Sequence, residues 1–357
     1  MSVKDVAERA GVSVGTVSNV LNRPEKVSPA TVERVLEAID AIGFVRNDAA
    51  RQLRAGRSNS IGMVVLDISN PFFTDVARGA EARAAEERLT VLLGNSEENA
   101  DREKSYLDLF EEQRVYGVLI SPVGNDQSRL ERLLRRGIPT VLVDRQTDDD
   151  RFSSVAVDDV AGGYLAVRHL LDTGRRRIVF VGGPDDLRQV SDRLAGAHQA
   201  VAEVEGAKLE VLPTEALTVL QGQQAGENIR GRSLETRPDA VFAANDLLAM
   251  GVLQALNMLG GVPVPDEIAL IGYDDIDFAS AAVVPLSSIR QPSALIGHTA
   301  VDLLVREAAA QGGFEHEHVV FQPQLVVRES TAPSSGTRSI DKGRSSFARG
   351  AAARPTR

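Results

Sequence analysis

Short apolar runs recur along most of this 357-residue chain, and segments with helical spacing separate them. Apolar strands that alternate with helices are typical of parallel sheets covered on both faces. The eight clearest runs start at Ile61, Thr90, Gly117, Pro139, Ser153, Arg177, Ala240 and Ile268. Because residues 60–331 are too many for one such sheet, we predict two α/β lobes whose facing carboxyl edges form a ligand cleft.

The composition limits both the compartment and the chemistry of the chain. It contains no Cys, which excludes disulfides and thiolate metal sites and fits a reducing cytoplasm. No basic-then-apolar signal opens the sequence, and no apolar run is long enough to span a bilayer. We therefore expect a cytoplasmic protein with no membrane partner.

Charge is distributed unevenly along the chain. The net charge is −10, yet residues 1–59 carry nine Lys or Arg against seven Asp or Glu. A weakly basic head on an acidic body is consistent with a head that alone approaches phosphates.

The head has the spacing of a helix-turn-helix. Ala7, Gly11 and Val17 supply a small residue, a turn and an apolar anchor where two helices cross closely. Ser13 is a natural N-cap for the second helix. A third helix is predicted between Ser28 and Gly43, and its inward residues are expected to be Val32, Val35, Leu36 and Ile39. An ordinary helical bundle uses the same corner, so the spacing alone leaves both interpretations open.

The outer face of the second helix favours DNA binding over a bundle. This face is predicted to carry short side chains, at Val14, Gly15, Thr16, Ser18 and Asn19. Methyl, hydroxyl and amide groups of this size suit close approach to major-groove edges and phosphates. A solvated face more often carries Glu and Lys.

Residues 46–59 are polar and contain one large apolar residue, Leu53. A helix of this length is unstable alone in water, so the stretch is either a linker or a helix that forms only against a partner. Leu53 is suited to wedging between base pairs, or else it packs against the body. Beyond residue 332 the chain is rich in Ser, Gly, Arg and Ala, which predicts a disordered basic tail.

A series of motifs resembles the LacI/GalR (lactose-repressor) family of bacterial transcription regulators. The motifs are VKDVAERAGVSVGTVSNVLN from Val3 and then, in order, DISNPFF, RLAG, AND, IGYDD and IRQP. The resemblance covers roughly residues 3–330 and implies an α plus α/β fold. It implies a three-helix helix-turn-helix head (1–45), a hinge helix (46–59), a two-lobed effector domain like the periplasmic binding proteins (60–331) and the tail (332–357). The lobes are expected at roughly 60–159 plus 291–321, and at 160–290 plus 322–331.

The resemblance also assigns the residues that contact DNA. Six residues of the second helix are assigned to the major groove: Val14, Gly15, Thr16, Ser18, Asn19 and Asn22. Positions matching Val14, Gly15 and Asn19 contact bases in the family, and the other three hold the backbone. Three hinge residues are assigned to the minor groove: Asn47, Ala50 and Leu53. Members often have Arg where this chain has Asn19, so the operator half-site is expected to be atypical.

The effector pocket implied by the resemblance is of the ribose-binding type. Nine residues are assigned to it: Asn70, Phe72, Phe73, Asp144, Arg145, Arg193, Asn245, Asp274 and Gln291. One of the two adjacent aromatics is expected in the core and the other against a sugar ring. On spacing alone, Asp144 and Arg145 are equally consistent with a surface ion pair. Leu187 and Gln189 stand where purine-binding members carry polar readers, which favours a pentose over a nucleobase.

Signatures of catalysis are missing. We find neither a phosphate-binding glycine motif nor the G-x-S-x-G nucleophile pattern. The HEH run at His316 to His318 is interpreted as a polar turn rather than a metal site, since the chain has five His and no Cys. No enzyme, cofactor or metal site is expected.

Together these features predict a homodimeric DNA-binding repressor controlled by a small sugar. Two symmetric heads suit a pseudo-palindromic operator, and the resemblance places much of the dimer interface on first-lobe helices, here residues 72–87. Effector binding is expected to change lobe closure, shift the hinge and alter operator affinity, with release the expected direction. The alternatives are a purine- or nucleoside-responsive repressor, a sugar receptor without DNA function, and a sugar-modifying enzyme.

Overall fold

The computed structural model describes residues 1–44, 58–124, 128–185, 187–258, 261–310 and 313–332. The predicted hinge residues Asn47, Ala50 and Leu53 and nearly all of the predicted tail lie outside these ranges.

Three helices and a connecting turn form the head. They are α1 (Val3–Ala10), α2 (Val14–Asn22), a 3₁₀ turn (Pro24–Lys26) and α3 (Pro29–Ile42). Gly11 ends α1 in the left-handed conformation, at φ 64°, which glycine adopts without steric cost. The side chain of Ser13 accepts a hydrogen bond from the Thr16 amide at 3.0 Å and so begins α2. The helix-turn-helix corner therefore has the geometry that its cap residues predict.

The head has its own small core. Val6, Val17 and Val35 are fully buried there. The prediction for Leu36 is wrong, because this side chain is 52% exposed. The inward stripe of α3 passes through Val35 and Ala38 instead, since residues three apart share a helix face whereas adjacent residues do not.

A six-stranded parallel sheet organises the first lobe. Its strands are β1 (Ser60–Val65), β2 (Thr90–Asn95), β3 (Gly117–Ile120), β4 (Thr140–Val143), β5 (Ser153–Val157) and β11 (His318–Phe321), in the order β11-β5-β4-β3-β1-β2. Its helices are α4 (Pro71–Glu86), α5 (Ala100–Glu112), α6 (Ser128–Arg135) and α12 (Ser293–Ala309). Helix α12 packs against α4.

A four-stranded parallel sheet organises the second lobe. Its strands are β6 (Arg177–Gly182), β7 (Lys208–Pro213), β8 (Ala240–Ala243) and β9 (Ala269–Ile271), in the order β7-β6-β8-β9. Its helices are α7 (Asp159–Asp172), α8 (Arg188–Ala202), α9 (Val219–Arg230), α10 (Asp246–Asn257) and α11 (Asp277–Ala281). A short antiparallel pair, β10 (Ser288–Arg290) and β12 (Gln324–Val326), lies beside the sheets. The predicted two-lobed α/β fold is confirmed, and the finer domain limits stay predictions.

Two local predictions are wrong. Strand β2 is not a buried strand: it lies at the edge of its sheet, and Leu92 and Leu93 are 42% and 40% exposed. The HEH run is not simply a turn, because His318 begins β11 and pairs with Ser154 of β5. Both errors concern edge strands, where burial depends on neighbours that periodicity cannot identify.

Candidate functional site

The predicted DNA-contacting face of α2 is exposed. Val14 is 46% exposed, and Gly15, Ser18 and Asn19 are also exposed. The opposite face carries Val17, which is buried in the head core. The helix thus rests on apolar residues and presents its short polar ones.

Hydrogen bonds within the helix hold part of this face. Thr16 is half-buried, and its hydroxyl lies 2.9 Å from the Ser13 hydroxyl. Asn22 donates to the backbone oxygen of Ser18 at 2.8 Å. Space is open at Gly15, where an added Cβ would meet Ser13 Oγ at 3.6 Å. The predicted base-contacting positions are therefore the more open part of the face, and the predicted backbone-holding ones are the more constrained part.

A cleft between the lobes gathers most of the predicted effector residues. Its lining consists of Leu66, Asp67, Asn70, Phe72, Phe73, Glu98, Asp144, Leu187, Gln189, Val190, Arg193, Leu217, Asn245 and Asp274. Seven of the nine predicted residues are among them. The cleft lies at the carboxyl ends of strands in both sheets, as the parallel α/β topology requires.

Two asparagines in the cleft also cap helices. Asn70 Oδ1 accepts a hydrogen bond from the Phe72 amide at 3.0 Å, and Asn245 Oδ1 accepts one from the Leu248 amide at 2.9 Å. These bonds fix each side chain at a helix N-terminus. The amide group of Asn70 then reaches across the cleft and donates to Asp274 Oδ2 at 2.9 Å.

The adjacent phenylalanines both line the cleft. Their ring centroids are 5.0 Å apart and their planes are inclined by 70°, a favourable edge-to-face arrangement. Both side chains are also buried in the first-lobe core. The expected division into one core ring and one cleft ring is therefore not seen.

Arg193 is the buried cation of the cleft. Its Nε donates to Asp159 Oδ1 at 2.8 Å, and its Nη1 donates to the backbone oxygen of Ala244 at 2.8 Å. The guanidinium carbon lies 3.7 Å from the centre of the Tyr273 ring, which adds a cation–π contact.

The backbone that carries Arg193 is held by close helix packing. A Cβ added to Gly163 of α7 would lie 1.9 Å from the Arg193 carbonyl oxygen on α8. A glycine is therefore required at this crossing, and the position of Arg193 depends on it.

Three buried carboxyl groups surround this one guanidinium. Burial raises the pKa of Asp144 to about 8, and the nearby Asp159 raises it further in the same direction. Burial also raises the pKa of Asp159 and of Asp274, although Arg193 opposes both shifts. The site is thus poor in positive charge, and part of its acidity is suppressed near neutral pH.

Arg145 and Gln291 are predicted site residues that are not among those lining the cleft in the described chain. Arg145 donates to the Gly124 carbonyl oxygen at 3.2 Å. Gln291 lies behind the cleft and donates to Asp274 Oδ1 at 2.7 Å. Gln291 therefore holds a lining carboxyl group.

Two of the lining carboxylates sit on strained backbone. Asp144 has φ 55° and Asp274 has φ 101°, values that residues with a Cβ rarely adopt. Such strain persists where the surrounding structure holds a side chain in a required position.

Three polar lining residues are absent from the predicted pocket, although one of them, Gln189, was placed where purine-binding members carry a polar reader. Asp67 and Glu98 follow β1 and β2 at the same sheet edge as the predicted residues, so their position after a strand was an available signal. Gln189 donates from Nε2 to the backbone oxygen of Asp144 at 2.8 Å and to its Oδ2 at 2.9 Å. No local pattern announces this contact between distant segments.

Among the residues that the structure describes, none of the helices combines the length and the hydropathy that a bilayer span needs. No group of three or more His, Asp or Glu in the described ranges could hold a metal ion.

Two family models match the chain. Residues 2–47 match the model for bacterial regulatory proteins of the lacI family, and residues 167–331 match a periplasmic binding protein-like domain. The HTH-type transcriptional repressor PurR of Photobacterium profundum is 33% identical over 335 residues, which cover 92% of this chain and 98% of that protein.

Solved structures resemble the whole fold. A complex of the transcriptional regulator CelR with cellobiose is 30% identical, with a TM-score of 0.68, over 92% of this chain and 99% of that one. A lac repressor dimer bound to operator and an anti-inducer is 26% identical, with a TM-score of 0.78, over 93% and 99%. A LacI family regulator from Enterococcus faecium with bound ribose is 29% identical, with a TM-score of 0.68, over 77% and 99%.

The head and the two-lobed body of this chain match these relatives along nearly the whole length of the chain. Homologues of this kind are regulators without enzymatic activity. The chain belongs to the LacI family of bacterial regulatory proteins and is a DNA-binding transcriptional repressor.

Proposed function

We propose that this repressor binds its operator as a homodimer and responds to an uncharged sugar, with a pentose favoured. The observation that carries the effector assignment is Asp144 Oδ1. This buried carboxyl oxygen has no hydrogen-bond partner among the described residues, and Asp144 lines the cleft. Buried polar atoms are normally satisfied, and a sugar hydroxyl can satisfy this one in either protonation state, because a hydroxyl donates to a carboxylate and accepts from a protonated carboxyl group.

The charges of the cleft favour a neutral ligand. Four acidic residues and one arginine line it, and that arginine is already bonded to Asp159. A phosphate or carboxylate on the ligand would approach mostly carboxyl groups and find no free cation among the described lining residues, at a large cost in desolvation. Sugar phosphates and nucleotides are therefore poor candidates.

A purine or nucleoside is the second candidate. The support for it comes from the PurR proteins, which are 30–33% identical to this chain. Against it stands Leu187, an apolar side chain in the lining, at a position where purine-binding members are expected to carry a polar group. The ribose complex of the Enterococcus faecium relative supports the pentose.

An exposed strand edge supports the homodimer. Leu92 and Leu93 of β2 are partly exposed beside α4, the helix that contains most of the predicted interface. The buried face of α4 packs on α12 of the same chain. The outer face of α4 together with β2 is therefore the surface we assign to the dimer. The solved lac repressor is a dimer on its operator.

The proposed route from effector to DNA runs through residues 46–59, most of which lie outside the described ranges. Effector binding alters the closure of the lobes, and the hinge starts of the two subunits shift with it. A coupling of about 3 kcal/mol would change operator affinity by roughly two decades. Release is the proposed direction.

A calorimetric screen tests the effector assignment. D-ribose, D-xylose, ribose 5-phosphate and hypoxanthine are titrated separately into the full-length protein. The proposal expects heat from a free pentose and none from ribose 5-phosphate. Binding of hypoxanthine without any sugar would instead establish the second candidate.

A further inference from the structure

Gln189 spans the cleft from one lobe to the other. It lies on α8 of the second lobe, and its Nε2 donates to both Asp144 O and Asp144 Oδ2, at the end of β4 in the first lobe. These atoms belong to the same aspartate whose Oδ1 lacks a partner. The glutamine amide thus already uses two of the acceptors that the cleft offers to a polar ligand.

The Gln189 side chain occupies a part of the cleft that a polar ligand would use. It is one of the lining residues, and its amide nitrogen is bonded to two oxygens of Asp144 on the opposite side. A ligand hydroxyl that bonds to either of these two oxygens must displace the glutamine amide.

The bridge is also easier to break than the contact between Asn70 and Asp274, which crosses the cleft as well. Gln189 is half-buried, whereas Asn70 and Asp274 are both buried. Asp274 is in addition held by Gln291, while Gln189 has a long side chain with several rotatable bonds. The Gln189 side of the cleft is the side that can open.

We propose that Gln189 is an intramolecular latch that competes with the effector. It holds the lobes together through Asp144 and withholds acceptors that ligand hydroxyls would otherwise use. The residue thereby sets the effector concentration at which the repressor responds. This inference rests on the proposed function of the cleft as a sugar site.

The affinity test uses D-ribose and two variants. Gln189→Ala removes the bridge, and Gln199→Ala changes an exposed glutamine on the same helix as a matched control. Loss of two hydrogen bonds, each worth roughly a factor of five in an equilibrium constant, predicts that Gln189→Ala binds D-ribose about thirtyfold more tightly, while the control matches the parent. Weaker binding by Gln189→Ala would mean that the glutamine contacts the ligand directly, and would overturn the latch.

A distance measurement tests the latch without any sugar. The chain has no Cys, so Asp101→Cys in the first lobe and Glu215→Cys in the second can each be labelled for energy transfer. Both residues are exposed. With no sugar added, Gln189→Ala is expected to lower the transfer efficiency and Gln199→Ala to leave it unchanged. An unchanged efficiency in Gln189→Ala overturns the latch, even if D-ribose proves not to be the effector.

Discussion

On α2, the predicted DNA-contacting residues Ser18 and Asn19 are exposed and rest on buried valines. In the cleft, the predicted effector-contacting residues Arg193 and Asp274 are buried and lie within ion-pair distance of each other, at 3.9 Å. A surface of the first kind can change its specificity without changing the fold. A buried network of the second kind couples binding to stability and to the relative position of the lobes.

The largest expected difference between the two regions is at Arg193. Arg193→Ala leaves Asp144, Asp159 and Asp274 buried without their cation, and we expect a loss of about 3–5 kcal/mol in the free energy of unfolding together with loss of effector binding. Denaturant unfolding and calorimetry measure both effects. Arg188→Ala, which changes a more exposed arginine on the same helix, should remain near the parent. Equal stability of the two variants would contradict the charge balance described for the cleft.

The pH dependence of stability should originate in the cleft rather than the head. The pKa of Asp144 is raised to about 8 in the folded chain, so its proton is retained on folding across roughly pH 4–8. The contribution of this group to the free energy of unfolding is fully present below about pH 4. It is lost as the pH rises toward 8, by up to about 1.4 kcal/mol per pH unit. Asp144→Asn should flatten this slope in urea unfolding series. An unchanged slope would locate the titrating group elsewhere.

The same substitution, glycine to alanine, should have opposite effects in the two regions. Gly163→Ala forces a Cβ against the Arg193 carbonyl oxygen and should destabilise the body by about 1–3 kcal/mol. Gly15→Ala has open space and should stabilise the head by up to about 1 kcal/mol, since alanine favours helices. Thermal unfolding checks both variants. Destabilisation by Gly15→Ala would mean that α2 packs differently.

The smallest structural effect is expected at Asn19. Asn19→Ala should leave stability within about 0.5 kcal/mol of the parent while removing about 1–2 kcal/mol of discrimination at one operator base pair. Selection from random duplexes with each protein gives the base preferences. Identical preferences at every position would show that Asn19 does not read a base.

Much of the architecture of the head and of the sheets could be predicted from local sequence signals, namely turn residues, helix caps and apolar runs. Gly11 and Ser13 set the corner of the head because turns and caps depend on the residues present at them. Apolar runs located eight of the ten strands described in the two sheets, and they missed the edge strands β7 and β11. Periodicity failed at Leu36 and at β2, where exposure is decided by neighbouring elements.

Only part of the cleft could be predicted from the sequence. Seven of its lining residues were assigned through the family resemblance, which supplies long-range proximity that spacing does not. The resemblance placed Gln189 where purine-binding members carry a polar reader, but its contact with Asp144, 45 residues away, was not predicted. The suppressed acidity of Asp144 likewise depends on burial and on Asp159, which only the folded chain brings together.

Operator binding in the presence of a sugar tests the central claim most directly. A duplex selected by the full-length protein is titrated by fluorescence anisotropy, with and without saturating D-ribose. D-ribose is expected to weaken operator binding at least tenfold, and ribose 5-phosphate is expected to have no effect. If D-ribose occupies the cleft by calorimetry yet leaves the operator affinity unchanged, the proposed control of this repressor by its sugar is contradicted.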